Sequence, residues 1–182
     1  MRSSSADPVL ILTGPPGVGK SSAAALLADR FDRAVHLRAD EFFHFVRAGF
    51  VEPWRPESQA QNEAVIEIVG RAAAGYADAG YFTIVDGIVI PHRFLERLSG
   101  VIRGAGHEVA YVVLKAASAV CAARVQSREA PAPIEPAVLD QLWAEFADLG
   151  EYERHVLDVE GLDPTAVADA LERALATRSY AL

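Results

Sequence analysis

The most constraining feature of the sequence is a glycine-rich motif between an apolar run and a helix-forming run. Residues 9–12 are Val-Leu-Ile-Leu, residues 14–21 are Gly-Pro-Pro-Gly-Val-Gly-Lys-Ser, and residues 23–28 are alanine and leucine. This order predicts a buried strand, a tight loop and a helix. The spacing Gly-x-x-x-x-Gly-Lys-Ser in that setting is typical of a phosphate-binding loop, or P-loop. A plain glycine and proline turn would not account for a lysine and a serine directly after the last glycine.

Each residue type in the motif suits phosphate binding. Glycines let the backbone turn successive N–H groups inward, and the helix adds its free N–H groups and the positive end of its dipole. Lys20 is expected to reach the β and γ phosphates, and the Ser21 hydroxyl to ligate magnesium. The residues predicted to cradle the phosphates are Gly14, Pro15, Pro16, Gly17, Val18, Gly19, Lys20, Ser21 and Ser22.

Composition limits the classes of protein that fit. A length of 182 residues, with 51% hydrophobic and 23% charged residues, suits one globular domain. The net charge of −8 argues against broad binding to nucleic acid or anionic membranes, because both need a basic face. Only Lys20 and Lys115 are lysines, so the lysine that ends the glycine loop is not background composition.

The single cysteine and the N-terminal residues bear on compartment. Cys121 excludes an internal disulfide, and its alanine and valine neighbours predict a buried structural residue on a helix. Residues 1–8 are polar and no long apolar segment follows them, which indicates neither a signal peptide nor a membrane span. The expected compartment is the cytoplasm.

Strand patterns alternate with helix patterns along the whole chain. Buried strands are predicted at residues 9–12, 34–37, 81–86, 108–114 and 154–159. Helices are predicted over residues 42–47, 58–80, 91–103, 116–128, 137–149 and 164–177, the last capped by Asp163. This alternation predicts one α/β domain over residues 1–182, with a parallel sheet covered on both faces and the first strand at its centre. The apolar residues predicted to form the buried stripe of the longest helix are Ala60, Ala64, Val65, Ile68, Val69 and Ala72.

In such a sheet, ligands bind beyond the carboxyl ends of the strands. Asp40 follows the second predicted strand, where a carboxylate can take a proton from a hydroxyl that attacks the γ phosphate. Asp40 can also cap the helix that it begins. Asp86 follows the third strand, where it can hold the water shell of magnesium, although Asp-Gly is also typical of a tight hairpin turn. The strand and helix alternation favours the magnesium interpretation.

Arg124 and Arg128 lie four residues apart, so they share one helix face beside a proline-rich loop. They are predicted to form an arginine clamp on the transferred phosphoryl group, within a lid over residues 124–136 that closes when nucleotide binds. The alternative is that both are solvated surface residues.

Polar and aromatic residues between the second and third strands are candidates for acceptor contacts. Asp40, His44 and Arg47 are predicted to share one helix face. The candidate substrate-binding residues are Arg38, His44, Arg47, Trp54, Arg55, Asp86, His92 and Arg93. The three histidines without metal-ligand spacing, interpreted as packing or surface residues, are His36, His107 and His155.

Together these motifs resemble the small P-loop kinases, the group that contains shikimate and gluconate kinases, chloramphenicol phosphotransferase and zeta-toxin-like kinases. The resemblance spans nearly the whole chain and rests on the P-loop, Arg38-Ala39-Asp40, Val85-Asp86-Gly87 and Arg124-x-x-x-Arg128. It implies a three-layer P-loop NTPase fold of the nucleoside monophosphate kinase type, with five parallel strands in the order 2-3-1-4-5. It also implies ATP and Mg²⁺ as cofactors, Asp40 as the base, lid arginines near the phosphates, and an acceptor pocket built largely from residues 40–80.

The predicted function is therefore transfer of the γ phosphate of ATP to a hydroxyl of a small molecule, such as an antibiotic, nucleoside or sugar. No nucleic acid or membrane partner is expected, and the protein is predicted to act as a monomer or homodimer. Two alternatives are an ATPase or nucleotide switch that acts through a protein partner, and a toxin-like kinase of nucleotide sugars.

Overall fold

The computed structural model describes residues 7–126 and 135–182. Within them, five parallel strands form one sheet in the order β2-β3-β1-β4-β5. The strands are β1 (Val9–Thr13), β2 (Ala34–Arg38), β3 (Phe82–Asp86), β4 (Val109–Lys115) and β5 (Val156–Asp158). The predicted α/β class and strand order are confirmed.

Helices lie on both faces of the sheet. They are α1 (Lys20–Ala28), α2 (Ala39–His44), α3 (Gln59–Asp78), α4 (Glu96–Gly104), α5 (Ser118–Gln126), α6 (Pro136–Ala144) and α7 (Pro164–Thr177). Shorter helical turns cover Pro56–Ser58, Pro91–Leu95 and Gly150–His155. No helix in the described part of the chain is long and apolar enough to cross a membrane.

The central strand divides two apolar cores. All five residues of β1 are buried between β3 and β4, as a parallel strand covered on both faces requires. Ile11 belongs to the core under α3 and α4, whereas Leu10 and Leu12 belong to the core under α1 and α7. The alternation of β1 side chains thus fixes both helix layers to one strand.

Two smaller predictions were confirmed. The Asp163 carboxylate accepts a hydrogen bond from the Ala166 N–H at 2.8 Å, so Asp163 caps α7. Cys121 is fully buried on α5.

The predicted buried stripe of α3 was partly wrong. Ala60 and Ala64 are exposed and the Ile68 residue is 54% exposed. A series at every fourth position turns by about 40° per step around a helix of 3.6 residues per turn, so it leaves the buried face. The residues of α3 that are buried are Asn62, Val65, Ile66, Val69, Gly70, Ala73 and Ala74.

Other boundaries also differ from those expected. The strand β2 lies at the edge of the sheet, so of its residues only Leu37 is buried. The helix α2 ends at His44 because the Val46 N–H bonds to the Phe43 carbonyl in a tighter turn, and Arg47 therefore does not share a helix face with Asp40. The helix α6 stops at Ala144, five residues before the predicted end at residue 149.

The α3 result can be tested with two neighbouring aliphatic residues. We expect Val69→Ala, at a fully buried position, to lower the free energy of unfolding by about 2 kcal/mol through lost packing. Ile68→Ala removes more side chain but from an exposed position, so its effect should stay within about 0.5 kcal/mol. Urea unfolding of both variants is the measurement, and a larger loss for Ile68→Ala would contradict the observed face of α3.

Candidate active site

The P-loop joins β1 to α1 at the carboxyl edge of the sheet, and its glycines are required by conformation and by space. Gly14, Gly17 and Gly19 have φ angles of 142°, 84° and 103°. A Cβ on Gly14 would lie 2.4 Å from the Leu114 carbonyl oxygen, and one on Gly17 would lie 2.2 Å from the Cys121 carbonyl oxygen. The loop therefore packs backbone to backbone against β4 and α5.

The Lys20 ammonium lies against the loop that it follows. Lys20 is the first residue of α1 and is only 9% exposed. Its Nζ donates hydrogen bonds to the carbonyl oxygens of Gly14 at 2.8 Å and Pro15 at 3.2 Å. A positive charge thus lies beside the backbone turn that the sequence predicts for phosphate.

Asp86 ends β3 beside the start of α1. It is 4% exposed, its Oδ2 lies 3.0 Å from His36 Nε2, and it accepts a hydrogen bond from the Ser21 hydroxyl. Burial alone would raise the pKa of the Asp86 carboxyl, but the bonds from His36 and Ser21 and the charge of Lys20 hold that pKa below its usual value. The two residues predicted to serve magnesium, Ser21 and Asp86, are therefore in contact, and Asp86 is ionised.

The hairpin interpretation of Asp86 and Gly87 is wrong. The strand β3 pairs in parallel with both of its neighbours, so the chain does not turn back on itself at this point. A Cβ on Gly87 would lie 2.8 Å from the Ala39 Cβ and 3.8 Å from Asp40 Oδ1. The glycine lets the end of β3 approach the start of α2, which carries Asp40.

Asp40 is the second residue of α2 and does not cap it. The N-cap residue is Arg38, and no side-chain hydrogen bond caps this helix. Asp40 is an exposed residue at the sheet edge, but the protein atoms packed around its carboxyl group remove part of that group's hydration. Desolvation raises the pKa of the Asp40 carboxyl, and the charge of Asp86 adds to this rise. The charges of Lys20 and Arg38 act to lower that pKa, but they do not outweigh the desolvation.

The helix α5 brings Arg124 to the P-loop. Its Nη1 lies 3.5 Å from the Val18 carbonyl oxygen, and a Cβ on Gly19 would lie 3.9 Å from the same nitrogen. Arg124 therefore lies beside the P-loop backbone, and its approach to the phosphates when nucleotide binds stays a prediction. Arg128 and residues 127–134 of the predicted lid lie outside the described residues.

A further contact to the P-loop was not foreseen from the sequence. The Trp143 indole N–H of α6 donates a hydrogen bond to the Pro16 carbonyl oxygen at 3.2 Å. A tryptophan buries its indole N–H only where that group has a partner, but the sequence does not say which partner. The helix α6 is thereby fixed to the loop.

The other predicted substrate-binding residues are more scattered. Arg38 pairs with Glu41 at 3.0 Å, and Arg93 pairs at 3.7 Å with Glu145, the residue that directly follows α6. Trp54 is half-buried. The remaining candidates are exposed and are His44, Arg47, Arg55 and His92. The structure therefore places Arg38 and His44 near Asp40 and directs Arg93 toward α6.

The segment between α2 and α3 is held firmly on α3. Gln61 donates to the Val51 carbonyl oxygen at 2.7 Å and accepts from the Val51 N–H at 2.9 Å. The buried Asn62 donates to Pro53 O at 2.7 Å and to Ser58 Oγ at 2.8 Å. Only residues 79–81 connect the end of α3 to the start of β3, so α3 ends near the amino edge of the sheet. The helix is about 30 Å long and the strand about 16 Å, so the first turns of α3 extend past the carboxyl edge. This segment therefore forms a wall above the edge where the P-loop lies.

Comparisons with known proteins agree with this geometry. Residues 9–149 match the model of the AAA domain family. Among solved structures, the tunicamycin resistance protein of Deinococcus radiodurans superposes with a TM-score of 0.70 at 21% identity, over 92% of this chain and 94% of that one. No curated protein is a detectable relative.

Two further structures share the fold. A gluconokinase from Sinorhizobium meliloti 1021 has a TM-score of 0.68 at 16% identity, over 98% of this chain and 95% of that one. The APS kinase of Mycobacterium tuberculosis, in complex with AMPPNP and APS, has a TM-score of 0.65 at 19% identity, over 94% of this chain and 99% of that one. The chain thus has the fold of P-loop kinases.

The role of the P-loop lysine can be tested by removing its charge. We expect Lys20→Ala to weaken binding of ATP with magnesium roughly 10- to 100-fold, the usual effect of losing hydrogen bonds to a charged group. The matched control is Lys115→Ala, which removes the only other lysine from a partly exposed position near Glu153. Calorimetric titration is the measurement. Equal affinities for Lys20→Ala and the wild type would contradict the phosphate-binding assignment.

Proposed function

The chain belongs to the AAA domain family, and from this premise we propose that it is a small-molecule kinase that transfers the γ phosphate of ATP to a hydroxyl group. One observation carries the proposal. A P-loop with its lysine, an ionised carboxylate in contact with Ser21, and an accessible carboxylate at Asp40 all lie at the same edge of the sheet. Phosphoryl transfer depends on positioning and on charge, and these groups supply both.

The P-loop supplies the donor half of the proposed site. Its glycine-dependent turns and the N-terminus of α1 present backbone N–H groups, which bind phosphate oxygens. Lys20 adds a charge for the β and γ phosphates. Arg124, beside Val18, is placed to meet charge that develops on the transferred group.

Magnesium fits the oxygen donors beside the loop. Mg²⁺ prefers carboxylate, hydroxyl and water oxygens, and Ser21 and the ionised Asp86 provide such a set. We propose that these two residues hold the ion, Ser21 directly and Asp86 through its water shell. When bound, the ion supplies positive charge that neutralises phosphate oxygens.

Asp40 supplies the acceptor half. Asp40 is an exposed residue that an acceptor can reach, and the raised pKa of its partly desolvated carboxyl makes it a better proton acceptor than an ordinary aspartate. In the proposed reaction, an acceptor hydroxyl gives its proton to Asp40 while its oxygen bonds to the γ phosphorus. The bond from that phosphorus to the β,γ-bridging oxygen breaks, and ADP leaves.

The segment between α2 and α3, which we call the acceptor wall, indicates the chemistry of the substrate. Phe45 is 71% exposed directly after α2 and contacts the ring of Phe42, with ring centroids 5.6 Å apart. Trp54 lies on the segment that Gln61 and Asn62 hold in place. Ligand sites combine apolar surface with a few polar groups, so we propose an acceptor with an apolar part, such as an antibiotic or a nucleoside.

A screen of acceptors tests the proposal directly. Hydroxyl-bearing compounds, namely nucleosides, antibiotics, sugars and gluconate, are incubated with the protein and ATP labelled at the γ phosphate. We expect labelled product from at least one class, above the rate of transfer to water and absent with Lys20→Ala. Label found only in inorganic phosphate would favour an ATPase or switch instead.

The role of Asp40 can be separated from that of the P-loop. We expect Asp40→Asn to keep the melting temperature and ATP affinity near those of the wild type, because it preserves shape and no cap is lost. Transfer should fall roughly 10²- to 10⁴-fold, the usual contribution of a placed base. Glu41→Gln is the matched control, because it removes the neighbouring carboxylate. Parental transfer by Asp40→Asn would assign the proton to another group.

Arg124 is expected to act mainly in the transition state. Arg124→Ala should lower turnover more than it lowers ATP affinity, because the charge that the guanidinium meets develops as the phosphoryl group transfers. Steady-state kinetics and calorimetry measure the two effects, with the exposed Arg173→Ala of α7 as the control. Equal losses in both quantities would assign Arg124 to ground-state binding.

A further inference from the structure

A histidine on the edge strand contacts the carboxylate of the proposed magnesium site. His36 Nε2 lies 3.0 Å from Asp86 Oδ2, and the two side chains are 17% and 4% exposed. An imidazole N–H donates and a carboxylate oxygen accepts, so a contact at this distance is a hydrogen bond between the two side chains. The bond therefore runs from the imidazole to the carboxylate.

The strand register explains why this pair forms. His36 lies opposite Ile84, and Arg38 lies opposite Asp86, so His36 and Asp86 are diagonal neighbours on one face of the sheet. Ile84 on that face belongs to the core under α1, the helix that begins with Lys20 and Ser21. The histidine thus approaches Asp86 from the edge strand, while Ser21 approaches it from α1.

We propose that His36 is a positioning residue, which holds the Asp86 carboxylate in the orientation that serves Ser21 and the magnesium ion. The proposal deepens the proposed function, because it rests on the donor site described above. An aspartate side chain can rotate about two bonds between its backbone and its carboxylate. A hydrogen bond to one carboxylate oxygen restricts this rotation and so fixes where the second oxygen points. Groups that orient metal-site ligands typically change metal affinity 10- to 100-fold when they are lost.

Three variants separate positioning from a merely structural contact. His36→Leu keeps apolar bulk on β2 but removes the donor, whereas His36→Gln keeps an N–H donor at a similar reach. The matched control is His107→Leu. His107 also forms a hydrogen bond to an aspartate, with its Nε2 2.9 Å from Asp78. It lies just before β4, at the amino edge of the sheet, and is therefore away from the P-loop.

The readout is the binding of Mn²⁺, a spectroscopic substitute for Mg²⁺, to the whole protein in the presence of ADP. Electron paramagnetic resonance measures free Mn²⁺ at one fixed pH, and thermal melting is recorded for each variant. We expect His36→Leu to weaken Mn²⁺ binding about 10-fold or more. His36→Gln should recover most of that loss, and His107→Leu should bind Mn²⁺ like the wild type.

Three results would overturn the proposal. They are unchanged Mn²⁺ affinity in His36→Leu, no recovery in His36→Gln, and an equal loss in His107→Leu. If the wild type binds no Mn²⁺ with ADP, the proposal and the donor half of the proposed function fall together. Failure of the acceptor screen alone would leave the Mn²⁺ result intact, so the two failures are distinguishable.

Discussion

The close approach of the P-loop backbone to β4 and α5 is the constraint on which the site depends. Gly14 packs against the Leu114 carbonyl and Gly17 against that of Cys121, at distances that leave no room for a Cβ. These contacts fix the loop relative to two other elements, so the N-terminus of α1, Lys20 and Arg124 are placed together. The burial of Cys121 follows from this packing, because its helix must lie directly on the loop.

The two carboxylates at this edge have different environments, and their protonation behaviour separates accordingly. Asp86 is enclosed and receives hydrogen bonds from His36 and Ser21, which lower its pKa despite its burial. Its ionised form therefore stabilises the fold above its unfolded pKa, and this contribution is lost as pH falls through the lower folded pKa. Asp40 has a raised pKa and an open surface. Such a separation is typical of sites in which one carboxylate holds charge and another moves a proton.

Sequence reasoning predicted the features that short-range patterns encode. The P-loop and the helix cap at Asp163 follow from local residue types, and the alternation of strands and helices gives the parallel sheet, whereas the full strand order was implied by the resemblance to small P-loop kinases. Features that depend on register or on packing could not be read in this way. The contact between His36 and Asp86 requires the β2 to β3 register, and the bond from Trp143 to Pro16 joins residues far apart in the chain. The α3 stripe was misassigned because alanines at every fourth position look apolar whether or not they face the core.

The edge strand β2 connects the two halves of the proposed site. Its middle residue, His36, contacts the carboxylate beside the P-loop, and its end leads directly into α2 and Asp40. A displacement of β2 would therefore disturb the proposed magnesium site and the proposed base together. The segment between α2 and α3, the proposed acceptor wall, is held separately, by hydrogen bonds from Gln61 and Asn62 of α3. In the proposed site, substitutions on this segment would therefore act on the acceptor without moving the P-loop, whereas a displacement of the whole β2 strand would reach both halves.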